Sequence, residues 1–215
     1  MILKRCAACL ALLCLLILPS CGRTAGWDEA GNLYIKQSGV SYDMAPYSYE
    51  PVLTDRRYAT MKVGDITLTL YEVEGVDPAR MLGDEFNTLY YATTVELPTL
   101  STMQVDRLDC YNEGSVGAAR STLTDRGRLD AVVKAHDTGA RLPEDEVRRL
   151  SLSTLKHATL NFYSAEYPGF CYALTYLEYG QSVTVGGTDH GTAFFYDRYE
   201  GVFIAAGDAL AGILS

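Results

Sequence analysis

Lys156-His157-Ala158-Thr159-Leu160-Asn161-Phe162-Tyr163 is a stretch in which apolar and polar side chains alternate. Ala158, Leu160 and Phe162 occupy every second position, so they share one face of an extended chain. A period of two is typical of a β-strand that buries one face and exposes the other to water. This stretch therefore predicts an antiparallel sheet in the C-terminal part of the chain.

The segments that follow continue the same architecture. Pro168-Gly169 suits the central positions of a type II turn, because proline fixes φ at the first position and glycine accepts a positive φ at the second. Further strands are predicted at Phe170 to Tyr179, Ala193 to Tyr199 and Val202 to Ala205, with Glu200-Gly201 as the last turn. The C-terminal part is therefore predicted to be an antiparallel β-meander.

Two helices are predicted before this meander. The first lies near Asp125 to Asp137, and Gly139 stands where a C-terminal glycine cap belongs. Its apolar stripe at helical spacing consists of Leu129, Val132, Val133 and His136. We expect His136, on this stripe, to be a packed core histidine. A shorter helix from Pro143 to Leu150 carries acidic residues first and arginines last, which complements the helix dipole.

The N-terminal part, from Asn32 to about Leu100, is predicted to be mostly β. Met61 to Val63 and Ile66 to Tyr71 flank Gly64-Asp65, a pair typical of a tight hairpin turn. Strands and helices do not alternate regularly along the chain, which argues against a wound α/β fold. The predicted class is α+β, antiparallel and β-rich, with one or two helices between an N-terminal strand block and a C-terminal β-meander.

The chain begins with a short basic segment and an apolar run. Lys4 and Arg5 precede the run Cys6 to Leu18, and Pro19-Ser20 interrupt it before Cys21. A helix needs about 20 apolar residues to cross the hydrocarbon core, so this run is too short for a permanent span. The layout is typical of a removable export signal.

The run Leu18-Pro19-Ser20-Cys21-Gly22 resembles the lipobox of bacterial lipoproteins. The resemblance implies that Cys21 is the first mature residue and carries fatty acyl chains that hold the protein on the outer side of the cell membrane. From the residues alone, an ordinary secreted signal and an uncleaved anchor stay open. Two phrases, Tyr71 to Pro78 and Tyr167 to Phe170 together with Tyr172 to Tyr176, resemble stretches of small uncharacterised lipoproteins of Gram-positive bacteria. This resemblance implies no site residues.

These features predict four segments along the chain. Residues 1–20 form a signal peptide, and residues 21–31 form a lipidated N-terminus with a short tether. Residues 32–100 form a β-rich lobe and residues 101–215 an α+β lobe. The alternative is that the two lobes pack together as a single domain.

Composition limits the classes of partner. The chain has 215 residues and a formal net charge of −9 at pH 7, which disfavours nucleic acid as a partner. An acidic surface is compatible with a cationic ligand, although solubility alone also explains it. We predict no cofactor and no metal site, because His136, His157 and His190 stand without companions at ligand spacing.

Beyond Cys21, the two remaining cysteines are Cys110 and Cys171. Outside the cytoplasm they could form one disulfide that closes a long loop. Two buried free thiols are the alternative, because free cysteine packs as a small hydrophobic residue. The sequence leaves both interpretations open.

The loop Gly186 to Gly191 is the most concentrated polar cluster. Its glycines allow close backbone approach, and Asp189 beside His190 could act as an acid/base pair or contact a ligand. A flexible hairpin connection explains the same residues.

All 16 tyrosines follow the predicted signal peptide. The predicted ligand-contacting tyrosines, in a stretch that also contains prolines, are Tyr42, Tyr47, Tyr49 and Tyr58. Exposed tyrosines could stack on sugar rings or anchor a protein partner. Tyrosine also forms strands on half-buried sheets, which is the alternative explanation.

Two functional hypotheses follow. The leading one is a lipid-anchored extracytoplasmic domain that binds a protein or a cell-envelope ligand without catalytic activity. The alternative is a cell-envelope hydrolase whose site assembles Asp189 and His190 with a cysteine. Convergence of these groups in a concave pocket would favour catalysis, and scattered positions would favour binding.

Overall fold

The computed structural model describes residues 22–112 and 119–213, and strands make up 47% of these described residues. The predicted signal peptide, residues 1–20, and the predicted lipidation site Cys21 lie outside the described residues.

The N-terminal half forms a closed barrel. The strands before residue 93 are β1 (Arg23–Trp27), β2 (Leu33–Ile35), β3 (Val40–Met44), β4 (Tyr49–Pro51), β5 (Leu53–Val63), β6 (Ile66–Val73), β7 (Met81–Asp84) and β8 (Leu89–Ala92). All except β4 belong to the barrel, in the order β1-β2-β3-β8-β7-β6-β5. Neighbouring strands are antiparallel, apart from a parallel pairing of β1 with β5 that closes the barrel at Arg23↔Ala59 and Thr24↔Thr60.

Alternate residues of these strands fill the barrel. The inward side chains that are at most 8% exposed include Leu33, Ile35, Tyr42, Met61, Leu68, Leu70, Leu82 and Tyr90. The Gly64-Asp65 hairpin is confirmed, since Val63 pairs with Ile66 across it. Barrel closure was not predicted, because it depends on a pairing between segments that are distant in the sequence.

The C-terminal half is built on a second sheet. Its strands are β9 (Arg107–Asn112), β10 (Ser121–Leu123), β11 (Arg141–Pro143), β12 (Thr154–Tyr163), β13 (Phe170–Tyr179), β16 (Ala193–Asp197) and β17 (Val202–Ala205). They lie in the order β10-β9-β12-β13-β16-β17-β11, and β4 pairs with β13 as the eighth strand. A separate small hairpin joins β14 (Thr184–Val185) and β15 (Thr188–Asp189).

The predicted alternation in β12 is confirmed. Ala158, Leu160 and Phe162 are buried on one face, while the intervening residues are less buried. This face packs against helix α1 (Arg126–Thr138) through Leu129 and Val132. A second helix, α2 (Glu144–Arg148), places Val147 in a cluster with residues of the opposite face.

The caps of α1 differ in part from expectation. Asp125 is the N-cap, and its side chain accepts a hydrogen bond from the backbone N–H of Arg128 at 2.9 Å. Gly139 ends the helix, but with φ of −63° rather than in a left-handed conformation. Glycine is required there for space, since a Cβ would lie 2.3 Å from the carbonyl oxygen of Ala205.

The chain crosses from the second sheet into the barrel at Val52. β4 pairs with β13 on one side of this residue, and β5 enters the barrel on the other. The backbone N–H of Val52 donates to Gly169 at 2.9 Å, and the Val52 carbonyl accepts from Glu74 at 2.8 Å. We call this region the junction, comprising residues 48–52, 74 and 169–173.

The close packing at the junction requires glycine at two positions, Gly83 and Gly169. A Cβ on Gly83 of β7 would lie 2.4 Å from Cδ2 of Leu53, and a Cβ on Gly169 would lie 2.2 Å from Cγ2 of Val76. Real atoms do not approach so closely, so these glycines allow the barrel wall and the sheet to touch.

The predicted division of the chain needs two corrections. Arg23–Trp27 falls within the predicted tether of residues 21–31, yet it forms the strand that closes the barrel. Tyr49–Pro51 falls within the predicted N-terminal lobe, yet it belongs to the C-terminal sheet. One hydrophobic cluster includes residues of both halves, among them Leu89 and Leu160. The prediction of an antiparallel, β-rich α+β fold is confirmed in this coarse form.

Candidate functional site

A cleft of about 400 Å³ lies beside the junction. One wall is the segment Ala45 to Glu50, and another is the turn Phe86 to Leu89 between β7 and β8. The floor is the face of the second sheet that is opposite α1, where Thr159, Ala173 and Thr175 lie. We call this the barrel–sheet cleft.

Aromatic and cationic side chains stand at the entrance of the barrel–sheet cleft. Tyr47 is 63% exposed and Phe86 is 68% exposed, so both rings are available to a ligand. The guanidinium carbon of Arg198 lies 5.9 Å from the centre of the Tyr47 ring, within the range of a cation–π contact. Arg198 makes no ion pair with any residue that the structure describes.

The side chain of Asp84 holds the turn that carries Phe86. This carboxylate is 2% exposed and accepts hydrogen bonds from the backbone N–H groups of Phe86 and Thr88, each at 2.9 Å. The hydroxyl of Tyr90 donates to its other oxygen at 3.1 Å. Asn87 completes the turn with φ of 63°, which asparagine tolerates better than most residues. These hydrogen bonds hold the backbone of the turn that carries Phe86.

Glu50 is the most unusual group in the barrel–sheet cleft. It is half-buried, and within the described residues no hydrogen bond or ion pair reaches its carboxylate. Burial raises its pKa above the ordinary value of 4.5, because a partly desolvated carboxylate is less stable when ionised. A desolvated carboxylate without a partner, placed in a cleft, marks a candidate binding site.

A second polar group on the same sheet face lacks a partner. Oδ1 of Asn161 is buried without a hydrogen bond to any described atom. Asn161 shares its face of β12 with Thr159, two residues away, and pairs with Ala173, which lines the cleft. The sheet face beside the cleft thus carries hydrogen-bonding capacity that the described residues leave unused.

The predicted tyrosine surface is corrected by the structure. Tyr42, Tyr49 and Tyr58 are at most 8% exposed, so they do not offer ring faces to a ligand. Tyr42 donates to the carbonyl of Pro78 at 2.8 Å, and Tyr49 donates to the carbonyl of Pro98. Among the four predicted tyrosines, Tyr47 alone is exposed in the described part of the chain.

Asp189 and His190 lie in and after the small β14–β15 hairpin. Asp189 accepts a hydrogen bond from the backbone N–H of Gly191 at 2.8 Å, which is a local turn contact. Neither residue lines the barrel–sheet cleft. β13 ends at Tyr179, and the chain then continues towards the hairpin. Cys171 lies near the start of β13, about 26 Å from Tyr179 along the strand. The structure therefore does not bring Cys171 to Asp189 and His190.

Cys110 and Cys171 are both free and buried. They lie on β9 and β13, which are separated by β12, and the register places them on opposite faces of the sheet. Burial raises the pKa of both thiols, to about 12 for Cys171. The arrangement corresponds to the alternative of two buried thiols, and the possible disulfide is not formed.

His136 takes the position that its pattern predicts. It is 6% exposed, its Nδ1 lies 3.1 Å from Asp137, and its ring packs against Tyr172 and Phe195. Its Nε2 is buried without a partner among the described atoms. His136 is therefore a core histidine with one ring nitrogen unpaired.

The described residues contain neither a metal-binding cluster nor a helix that could cross a membrane. No group of three or more histidine, cysteine or carboxylate side chains is placed to hold a metal ion within residues 22–112 and 119–213. In the same ranges no helix has the length and apolar character needed to cross a membrane.

Comparison with known proteins found no match. No protein-family model matches the chain, and neither does any curated protein or solved structure. The chemistry of the cleft is therefore the basis for a functional proposal.

Sequence reasoning missed Glu50, Phe86 and Arg198. Glu50 stands between Tyr49 and Pro51 in a three-residue strand, which is too short for an alternation to be recognised. Phe86 belongs to the segment Asp84 to Thr88, in which an aspartate, an asparagine and a threonine surround an aromatic residue. That composition predicts a turn with an exposed aromatic ring and was the one available signal.

We expect Glu50→Gln to stabilise the protein near neutral pH. The folded state binds the Glu50 proton more tightly than the unfolded state does, so stability is lost as pH rises through the raised pKa. Urea unfolding should give a larger free energy of unfolding for the variant than for the wild type at about pH 7, and no difference at about pH 3. The exposed Glu29→Gln serves as the control and should match the wild type. An equal effect of Glu50→Gln at both pH values would contradict the assignment.

Proposed function

We propose that this protein is a lipid-anchored, extracytoplasmic binding protein that holds a glycan of the cell envelope in the barrel–sheet cleft, without altering it chemically. The observation that carries the proposal is the half-buried, unpartnered carboxylate of Glu50 in a cleft that also holds Tyr47 and Arg198.

The side chains of the cleft suit a sugar. A sugar ring has an apolar face of C–H groups and an edge of hydroxyl groups. Tyr47 and Phe86 supply exposed aromatic area for the face, and stacking of this kind uses rigid, amphipathic side chains. Glu50 and Arg198 supply a charged acceptor and a charged donor for the hydroxyls, and hydrogen bonds to charged groups are the stronger ones.

The desolvation of Glu50 also has a functional explanation. A carboxylate that is destabilised in the free protein gains hydrogen bonds when a ligand hydroxyl or ammonium reaches it. The free protein therefore gives up stability that the bound state recovers, a trade-off that is common in binding sites. The volume of about 400 Å³ is within the range of small-molecule sites and accommodates a short oligosaccharide segment.

We expect Tyr47→Ala and Glu50→Gln each to weaken glycan binding by at least about tenfold, the loss typical of a central contact. An array of cell-envelope oligosaccharides identifies the ligand, and titration calorimetry with that ligand measures its affinity for each variant. Tyr199→Ala is the matched control, because Tyr199 is 59% exposed and lies outside the cleft.

Three results would contradict the binding proposal. The first is the absence of binding to any envelope glycan, and the second is an equal loss of affinity in Tyr199→Ala. The third is the release of shortened glycans in a reaction that Asp189→Ala or His190→Ala abolishes, which would support the hydrolase alternative.

The anchor has a separate test. We expect Cys21→Ser to move the protein from the membrane fraction to the soluble fraction, because two or more acyl chains are needed for stable attachment and the variant would carry none. Mass spectrometry of the N-terminal peptide should show acyl chains on Cys21 in the wild type. Cys14→Ser, a change within the predicted signal peptide, should leave both results unchanged. A Cys21→Ser protein that stays in the membrane fraction would contradict the lipid anchor.

A further inference from the structure

Apart from Phe86, which lines the barrel–sheet cleft, one end of the barrel carries four exposed, large apolar side chains. β1, β3 and β5 finish at this end, with Trp27, Met44 and Val63 as their last residues. β6 begins there with Ile66. The four side chains are between 44% and 63% exposed. We call Trp27, Met44, Val63 and Ile66 the apolar mouth.

The apolar mouth is an extension of the barrel interior. Met44 lies two residues beyond Tyr42, and Val63 two residues beyond Met61, so each continues an inward-facing row. Ile66 precedes Leu68 by the same spacing. Tyr42, Met61 and Leu68 are buried in the barrel core. Trp27 pairs with Leu33, a buried residue of the barrel core, so it faces the same way. The four mouth residues are therefore core-facing side chains that the described chain leaves partly exposed.

Acidic residues surround the apolar mouth. The neighbouring carboxylates in the sequence or on the adjacent turn, which we call the acidic rim, are Asp28, Glu29, Asp43, Asp65 and Glu85. Lys62 is a basic residue among them. Hydrogen bonds from Ser41 and from the backbone of Asn32 lower the pKa of Asp28, so this member stays ionised.

We propose that the apolar mouth is a docking surface for a second protein, which presents apolar side chains bordered by lysine and arginine. An exposed apolar patch with a polar border is typical of a protein interaction site, and tryptophan is enriched among the residues that dominate binding energy. The negative rim selects a positive border on the partner. A second copy of this chain and an anionic lipid surface both carry negative charge, so the rim disfavours them.

The position of the N-terminus is consistent with a second protein at the apolar mouth. β1 runs from Arg23 to Trp27, so Gly22 leaves the barrel at the end opposite to the mouth. On the proposed function, in which Cys21 is anchored, the mouth points away from the membrane and towards other envelope proteins. The apolar and acidic character of the mouth stands independently of that anchor.

The docking surface is tested by selecting a random peptide library, displayed on phage, against the full-length protein held in phosphatidylcholine nanodiscs. We expect the selected peptides to carry apolar residues flanked by lysine or arginine. Trp27 is the single tryptophan of the chain, so a blue shift of its emission reports occupation of the mouth directly. Affinity should fall with added salt and should fall at least about tenfold in Ile66→Ser.

The matched control is Leu155→Ser. Leu155 is 65% exposed and lies on β12, far from the mouth, so this change should leave peptide affinity unaltered. The circular dichroism spectrum and the unfolding midpoint of Ile66→Ser must match those of the wild type. Asp65→Lys is a second variant, which tests the charge of the rim without removing apolar area.

Four results would overturn the proposal. They are selected peptides with no excess of positive charge, peptides that bind Ile66→Ser as well as the wild type, and unchanged affinity in Asp65→Lys. The fourth is that something other than a peptide occupies the mouth. A lipid surface would do so if phosphatidylglycerol nanodiscs protected Trp27 from quenching by acrylamide, and a second copy of the chain would do so if sedimentation showed dimers. Glycan binding in the barrel–sheet cleft is measured separately, so its failure is distinguishable from failure of the docking surface.

Discussion

The pairing of Tyr49–Pro51 with Phe170–Tyr172 is the interaction on which the rest of the structure depends. Three residues of the N-terminal half are hydrogen-bonded into the C-terminal sheet, and the chain then enters the barrel at Val52. The ring of Tyr49 meets those of Phe170 and Tyr172 edge-on, with centroids 5.6 Å and 5.2 Å apart. Contacts of this geometry add to the apolar area that is buried. The junction therefore joins two β-structures into one packed unit.

The same strand creates the candidate site. In an extended chain, successive side chains point to opposite faces, so Tyr49 on one face requires Glu50 on the other. Tyr49 enters the hydrophobic cluster, and Glu50 is placed against the far face of the sheet. The barrel turn that carries Phe86 forms another wall of the cleft over this face. The packing of Tyr49 in the core thus forces Glu50 into a partly desolvated position, which lowers the stability of the folded state.

Local features were predictable from the sequence, and long-range closure was not. Alternation in β12, the α1 stripe and the Gly64-Asp65 hairpin depend on residues within a few positions of one another, so their patterns identified them. Barrel closure depends on Arg23 meeting Ala59, and the cleft depends on Glu50 lying near Arg198. No local pattern encodes such pairings, because they follow from the packing of distant elements.

The tyrosines show why composition alone is a poor guide to a binding surface. Tyr42, Tyr47 and Tyr49 lie within eight residues of one another, yet Tyr47 is the one that is exposed. Tyr42 and Tyr49 direct their rings into two different cores and pair their hydroxyls with backbone carbonyls. Their role is structural, since a buried tyrosine supplies apolar area and one satisfied polar group.

Native-state hydrogen exchange at the junction tests the central claim most directly. The relevant amides are those of Val52, which donates to Gly169, of Glu74, which donates to Val52, and of Ala173, which donates to Ser48 at 2.7 Å. If barrel and sheet form one cooperative unit, these amides exchange only through global unfolding, with the same free energy as amides in the middle of β6 and β12. If the junction amides exchange through a local opening of lower free energy while β6 and β12 stay protected, barrel and sheet are two independent units. That result would contradict the account.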